Sequence, residues 1–205
     1  MSLLISFEGI DGSGKSTLID KVNKAIANSV VTREPRGTEL GYRIWKMLND
    51  SIAEENLIQG NWTNFFLFLA AHSENVTSVV KPMLAEGKTV IVDRYIDSTF
   101  AYQGLNKKLG IENVWEIMKN TVGSPVPKFT FILDIDPVIA QERLDKRREE
   151  TGEYTNFDSA EVKFHQKIRV FFHQIKEMFP NRVHLIDANR TPDEVFDSVM
   201  KIINA

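Results

Sequence analysis

Five short apolar runs punctuate the chain, at Leu3–Phe7, Val30–Thr32, Thr89–Val92, Phe129–Ile135 and Val183–Ile186. Each is too short for a helix and rich in β-branched residues, and all but the brief second run are apolar almost throughout. That pattern predicts strands buried on both faces. Longer stretches with helical spacing lie between them. Helices are predicted from Ser16 to about Asn28, over Thr38–Asn49 and over Asn61–Glu86, with Gly87 just past the end of the last. Asp136 before Pro137, and Thr191-Pro192-Asp193-Glu194 with its capping-box acid, mark two more helix starts. From Asp158 onward Phe164, Ile168, Phe171, Ile175 and Met178 recur every three or four residues, one apolar stripe on a helix of about six turns. Strands alternating with helices imply an α/β fold, a five-stranded parallel sheet flanked by helices on both faces.

One segment departs from this pattern. Asp145 to Asn156 is polar and densely charged between two helices. It reads either as a solvated helix end and loop, or as a short lid that brings arginines over a phosphate site. No repeat or low-complexity tract divides the chain, so residues 1–205 are expected to form one domain, with the lid at about 145–157.

Composition narrows the class of function. With 42% hydrophobic and 26% charged residues the chain has ordinary globular values. It has no cysteine, which excludes disulfides, thiolate catalysis and Cys-based metal sites. The net charge of −3 disfavours a nucleic-acid polymer as partner. No apolar run nears the ~18 residues of a membrane span, and the first residues lack a signal peptide's charged region, so a cytoplasmic location is expected.

The first strand runs into Gly9-Ile10-Asp11-Gly12-Ser13-Gly14-Lys15-Ser16, which matches G-x-x-x-x-G-K-[ST] at every fixed position and opens the helix that starts at Ser16, with Thr17 beside the loop as a further ATP-side candidate. Glycines permit positive φ and close backbone approach, and successive N–H groups at a helix N-terminus favour phosphate oxygens. Lys15 can neutralise the β and γ oxygens of a triphosphate, and the Ser16 hydroxyl can ligate Mg²⁺. Asp11 is an unusual acid for such a cradle. It is either a turn stabiliser or a group facing away from the triphosphate, towards a second substrate or a hydrated metal. Asp93 and Arg94 follow the third strand, where residues line the ligand crevice of a parallel sheet. Asp93 is a plain turn residue or an Mg²⁺ holder, and Arg94 can pair with a phosphate. Further arginines (Arg33, Arg36, Arg43, Arg143, Arg147, Arg148) fall on connecting segments. Without an effector domain, this set favours a small-molecule kinase over a hydrolase or switch.

The combination of Phe7-Glu8-Gly9 with this loop, Thr32-Arg33-Glu34-Pro35, Asp93-Arg94-Tyr95 with Ser98 and Ala101-Tyr102-Gln103-Gly104, Leu133-Asp134, and Ile186-Asp187-Ala188 resembles the thymidylate kinases over nearly the whole chain. The resemblance implies a nucleoside monophosphate kinase-like P-loop NTPase fold that passes the γ-phosphoryl of ATP to dTMP with Mg²⁺, usually as a homodimer; the Asn61–Glu86 helix is a candidate contact. It places Asp11 near the sugar 3′-hydroxyl and the metal shell, Arg94 on the acceptor phosphate and Tyr102 at the 2′ position. Ser98, Thr99 and Gln103 fall on the acceptor side, the last two near the pyrimidine edge, and Phe68 stacks on the base unless it is a core aromatic. Ala188 and Asn189 border the adenine. One of Arg143, Arg147 and Arg148 joins Lys15 in stabilising the transferring phosphoryl, as in bacterial-type members with a lid arginine.

Three departures stand out. His72 occupies a position usually held by an arginine that donates to the base, so it is either a weaker base donor or a bystander. The turn Glu34-Pro35-Arg36-Gly37 has Arg36 where bacterial members have glycine, and Trp45 where they have an arginine; Arg36 or Arg43 would then replace that phosphate contact. The lid has Thr155-Asn156 in place of the usual Asp-Arg pair. Two other readings follow: a deoxynucleoside monophosphate kinase with altered or broader base preference, and a nucleotide-responsive binding protein that has lost transfer, against which the intact Lys15, Ser16, Asp93 and Arg94 speak.

Overall fold

The computed structural model describes residues 2–54, 60–105, 109–121, 123–152 and 162–205. Five parallel strands form one sheet: β1 (Leu4–Glu8), β2 (Ser29–Arg33), β3 (Thr89–Asp93), β4 (Phe129–Asp134) and β5 (Val183–Asp187), in the order β2-β3-β1-β4-β5. The helices between them are α1 (Lys15–Ala25), α2 (Glu39–Glu54), α3 (Asn61–Asn75), α4 (Lys81–Ala85), α5 (Ile96–Gly104), α6 (Ile111–Thr121), α7 (Pro137–Thr151), α8 (Val162–Met178) and α9 (Pro192–Ile203). The expected α/β architecture is present.

Alternation along β1 divides the core. Ile5 and Phe7 join the larger cluster with Phe131, Phe100, Phe172 and Ile168, while Leu4 faces the other side with Val76, Val80, Val90, Val92 and Tyr95. Ser6 and Glu8 share the Leu4 face, and both are fully buried. The three inner strands are buried on both faces as expected, with Ser6, Glu8, Asp93 and Thr130 as polar exceptions to their apolar composition. The edge strands differ: β2 exposes Val31, and β5 leaves His184 and Leu185 half-buried, because one side of each has no neighbouring strand.

Both predicted caps form. Asp136 accepts from the Val138 amide at 2.8 Å, and Thr191 and Glu194 complete a capping box. Gly87 sits at φ +78°, with its N–H on Leu84 O and that of Lys88 on Met83 O, so only a residue free of Cβ strain suits this exit. The expected Asn61–Glu86 helix is instead α3 and α4 joined by a π turn over Val76–Val80. On α8, Ile168, Phe171 and Ile175 are buried, whereas Phe164 and Met178 at the ends of the stripe are exposed. Two helices, α5 and α6, were not anticipated. In the charged segment, residues 145–151 continue α7, which ends at Gly152 (φ +70°) with its N–H on Arg148 O; positions 153–157 of the expected lid lie outside the described residues. Among the described residues no helix is long and apolar enough to cross a membrane.

Candidate active site

Parallel register brings the strand ends to one edge of the sheet. Phe7 and Arg33 both pair with Asp93, and Asp134 pairs with Asp187. The Gly9–Ser16 loop leaves β1 at the centre of this edge, the position where open parallel sheets bind ligands. Gly9, Gly12 and Gly14 take φ of +139°, +77° and +88°. Gly12 also has no room for a side chain, since a Cβ there would lie 2.2 Å from the Ala140 carbonyl on α7. The loop therefore wedges against the start of the helix that carries Arg143, Arg147 and Arg148.

Lys15 is 7% exposed and curls over its own loop, donating to Gly9 O at 3.0 Å, Ile10 O at 2.9 Å and Ser13 Oγ at 3.4 Å. Burial, with the Arg94 charge second, pulls its ammonium down to about 8. Ser16 and Thr17 are exposed in the first turn of α1, and Ile10 is buried.

Arg94 crosses from β3 to the same loop. Its backbone takes φ +66°, a left-handed conformation that a non-glycine residue holds only when its surroundings fix it. Here the Arg94 amide donates to Phe7 O at 2.9 Å, Nη1 donates to Gly9 O at 2.9 Å, and Nη2 meets Asp11 Oδ1 at 2.6 Å. Tyr102 Oη and Ser98 Oγ each lie 3.4 Å from Nη1. Burial alone would raise the Asp11 carboxyl; the Arg94 and Lys15 charges outweigh it and hold it at about 2. Burial pushes the Tyr102 phenol up to about 12, so it stays neutral beside Arg94.

Arg33, at the end of β2, bridges two oxygens that the sequence had marked for Mg²⁺. Its Nη2 is 2.7 Å from Asp93 Oδ2 and 3.2 Å from Ser16 Oγ. A hydroxyl and a carboxylate that converge on one cationic nitrogen are a hard-oxygen donor pair suited to Mg²⁺, which is commonly held by one or two protein oxygens plus substrate phosphates. The residues fit the ion, with the guanidinium moving aside. Arg33 itself went unassigned in the sequence, although the strand-end rule that singled out Asp93 applies equally to β2.

The acceptor-side candidates divide into two groups. Arg94, Asp11, Tyr102 and Ser98 come together as expected, with Thr99 and Gln103 half-buried on α5. Of the two readings of His72, weaker base donor or bystander, its contacts favour the second. Its ring is 3% exposed, with Nδ1 2.8 and 2.9 Å from the Glu34 carboxylate oxygens and Nε2 2.7 Å from Ser124 Oγ. Neither nitrogen is left for a base. Glu34 also accepts from Asn75 at 3.1 Å, so its carboxylate organises the turn from within. Phe68 packs half-buried against Ile44, Leu48 and Ala71, joining the small core between α2 and α3. Arg43 points outward to Glu39 at 2.8 Å, whereas Arg36, next to Pro35, is exposed but lies close enough to Arg33 and Arg94 to feel their charges.

Beneath Arg94 lies a polar layer that sequence reading missed. Ser98 Oγ donates to Glu8, as does the Tyr95 amide at 3.0 Å; burial, with the Asp97 charge second, raises the Glu8 carboxyl to about 8. Arg182 grips Asp97 bidentately at 2.7 and 2.8 Å and ties α5 to the foot of β5. At the far end of the edge, Ala188 N donates to Asp134 O at 2.8 Å, while the exposed Asn189 bonds Asp187 and faces the first turn of α7.

A phosphate-cradling loop opening a helix at the centre of a parallel sheet, with basic groups converging on it, defines a P-loop phosphotransferase of the nucleoside monophosphate kinase type. A family profile described as Thymidylate kinase matches residues 7–199. The chain belongs to that family. It is 34% identical over 205 residues to a thymidylate kinase of Mesoplasma florum, covering 98% of this chain and 94% of that one. A probable thymidylate kinase of Methanosarcina mazei is 41% identical over 208 residues, covering 97% and 93%. Among solved structures, a thymidylate kinase from Ehrlichia chaffeensis superposes with a TM-score of 0.74 at 29% identity, covering 98% of each chain.

Proposed function

We propose that this chain transfers the γ-phosphoryl of ATP to dTMP, giving dTDP and ADP for dTTP synthesis. One observation carries the reading: the Gly9 carbonyl accepts from both Lys15 Nζ and Arg94 Nη1. The donor-side and acceptor-side cations thus meet at a single loop atom, which supports two phosphate sites lying close together, the proximity that direct transfer needs. Lys15 faces the β and γ oxygens of ATP, with the backbone from Gly9 to Thr17 around them. Arg94, pre-aimed by its bonds to the loop and to Asp11, takes the acceptor phosphate, which is already ionised at neutral pH and needs no general base. Asp11 approaches the sugar 3′-hydroxyl, Tyr102 crowds the 2′ position, and Thr99, Gln103 and Phe68 border the base. Ser98 and Glu34 act from behind, through Arg94 and through the Pro35–Arg36 turn.

Ser16 and Asp93 would hold Mg²⁺, which would neutralise phosphate charge when bound. Ala140 touches Gly12; along α7, Arg147 follows it by seven residues and Arg143 by three, on nearly the same face, while Arg148 turns further away. Arg147, about 10 Å along the axis, is the lid arginine this phasing favours, with Arg143 next. Ala188 and Asn189 border the adenine. The chain works as one domain with a lid at about 145–157, in the cytoplasm. It pairs with a second copy through α3, where Trp62 and Phe66 stand exposed one turn apart.

The occupied nitrogens of His72 favour a second reading, an enzyme of broader base preference. An acceptor panel separates the two. With dTMP, dUMP, dCMP, dAMP and dGMP, the expected kcat/KM is highest for dTMP, by about tenfold over dUMP, which lacks one methyl. Equal use of dUMP and dCMP supports the second reading. Absence of acceptor-dependent ADP release rejects both.

A further inference from the structure

We propose that Trp45 is a positioning residue for the acceptor phosphate, holding the Arg36 guanidinium by its face so that the N–H edge is presented to the incoming anion. The proposal rests on the dTMP reading of this site. Three observations support it.

The turn that carries Arg36 is pinned on both sides. A Cβ at Gly41, on the first turns of α2, would lie 2.0 Å from the Pro35 carbonyl. One at Gly37 would lie 2.3 Å from Thr32 Oγ1 and 2.6 Å from Asn75 Oδ1. The backbone on either side of Arg36 therefore has one place to sit, and only the side-chain direction remains to be set.

Trp45 sets that direction. It follows Gly41 by one helical turn, on the same face of α2. Arg36 Cζ stands 4.6 Å from the indole centroid, and Tyr42 abuts the indole with ring centroids 5.8 Å apart. Stacking engages the face of a guanidinium and leaves its in-plane donors unused, which suits bidentate capture of a phosphate.

Charge supplies the third observation. Arg33 is matched by Asp93 and Arg94 by Asp11, yet among the described residues Arg36 has no carboxylate within ion-pair distance. Burial, with the charge of Arg33 second and that of Arg94 further down, lowers its pKa. An exposed cation beside two others, held against an indole and lacking its own acid, is a seat for an anion.

The test compares binding of dTMP and of thymidine, which lacks the phosphate, with KM for ATP as a third readout. Trp45→Leu is expected to weaken dTMP about five- to tenfold while leaving thymidine and ATP within twofold. Trp45→Phe, which keeps an aromatic face, should recover most of the loss. In an Arg36→Ala background, Trp45→Leu should add less than twofold. If the leucine variant melts below the assay temperature, Trp45→Met takes its place as the variant without a ring. Equal weakening of thymidine and dTMP, or an undiminished effect without Arg36, overturns the proposal. A wild type that binds dTMP normally while Trp45→Leu changes nothing overturns the positioning role alone; a wild type that binds no dTMP overturns the acceptor reading with it.

Discussion

On the donor side of the cleft, every hydrogen bond made by Lys15 reaches an atom within six residues of it in sequence. On the acceptor side, Arg94 reaches back 85 residues to Gly9 and 83 to Asp11. Glu34 is held there by His72 and Asn75, 38 and 41 residues away. The lysine cradle is a local device, built on one strand, one loop and one helix, although the loop also leans on Ala140 of α7. The acceptor half exists only once the sheet is assembled, so its precision depends on the whole core. Damage should differ accordingly: chemistry and ATP binding on one side, acceptor affinity and fold stability on the other.

The largest expected effect breaks the donor half alone. Lys15→Ala should lower kcat by about 10²–10³-fold, the cost of removing one fixed electrostatic stabiliser, with KM for dTMP within threefold in steady-state kinetics. A comparable rise in KM for dTMP would erase the distinction between the halves.

Next comes pH. The charged form of Lys15 is the one that attracts phosphate, and its pKa in the folded chain is lowered to about 8. ATP affinity should be full below pH 8 and fall as pH rises through it, approaching tenfold per unit. Binding measured from pH 7 to 9.5 shows this slope for ATP and a shallower one for dTMP.

The smallest effect lies beneath the acceptor half. Folding raises the Glu8 carboxyl from 4.5 to about 8, so the folded chain holds this proton more tightly than the unfolded chain between those values. The group's contribution to stability is fully present below pH 4.5 and is lost as pH rises through 8. Glu8→Gln, an isosteric neutral side chain that can still accept from the Tyr95 amide, should flatten Tm against pH over that window and change activity by less than about threefold.

How much of this could be read beforehand follows the same division. The strands, both capped helix starts, Gly87 and the whole Gly9–Ser16 cradle are local patterns, and the sequence carries them openly. Asp93 and Arg94 were placed by a strand-end rule. The same rule would have caught Arg33, had it been applied to the edge strand. For His72 the sequence left base donor and bystander open, because residue type and spacing do not reveal that Glu34 and Ser124 contact both ring nitrogens. The Glu8–Ser98–Asp97–Arg182 layer joins residues up to 90 positions apart through polar side chains that have no periodicity. Helices α5 and α6 lack the cap signals that announced α7 and α9, and among the described residues tertiary packing of Phe100, Val114 and Met118 holds them.

The central claim is that two separately built halves meet at the Gly9 carbonyl, one for each nucleotide. Its most direct test is the pair of dissociation constants for ATP and dTMP in Arg94→Ala against wild type. The account predicts dTMP weakened at least tenfold and ATP by less than threefold; equal losses for both nucleotides would contradict it.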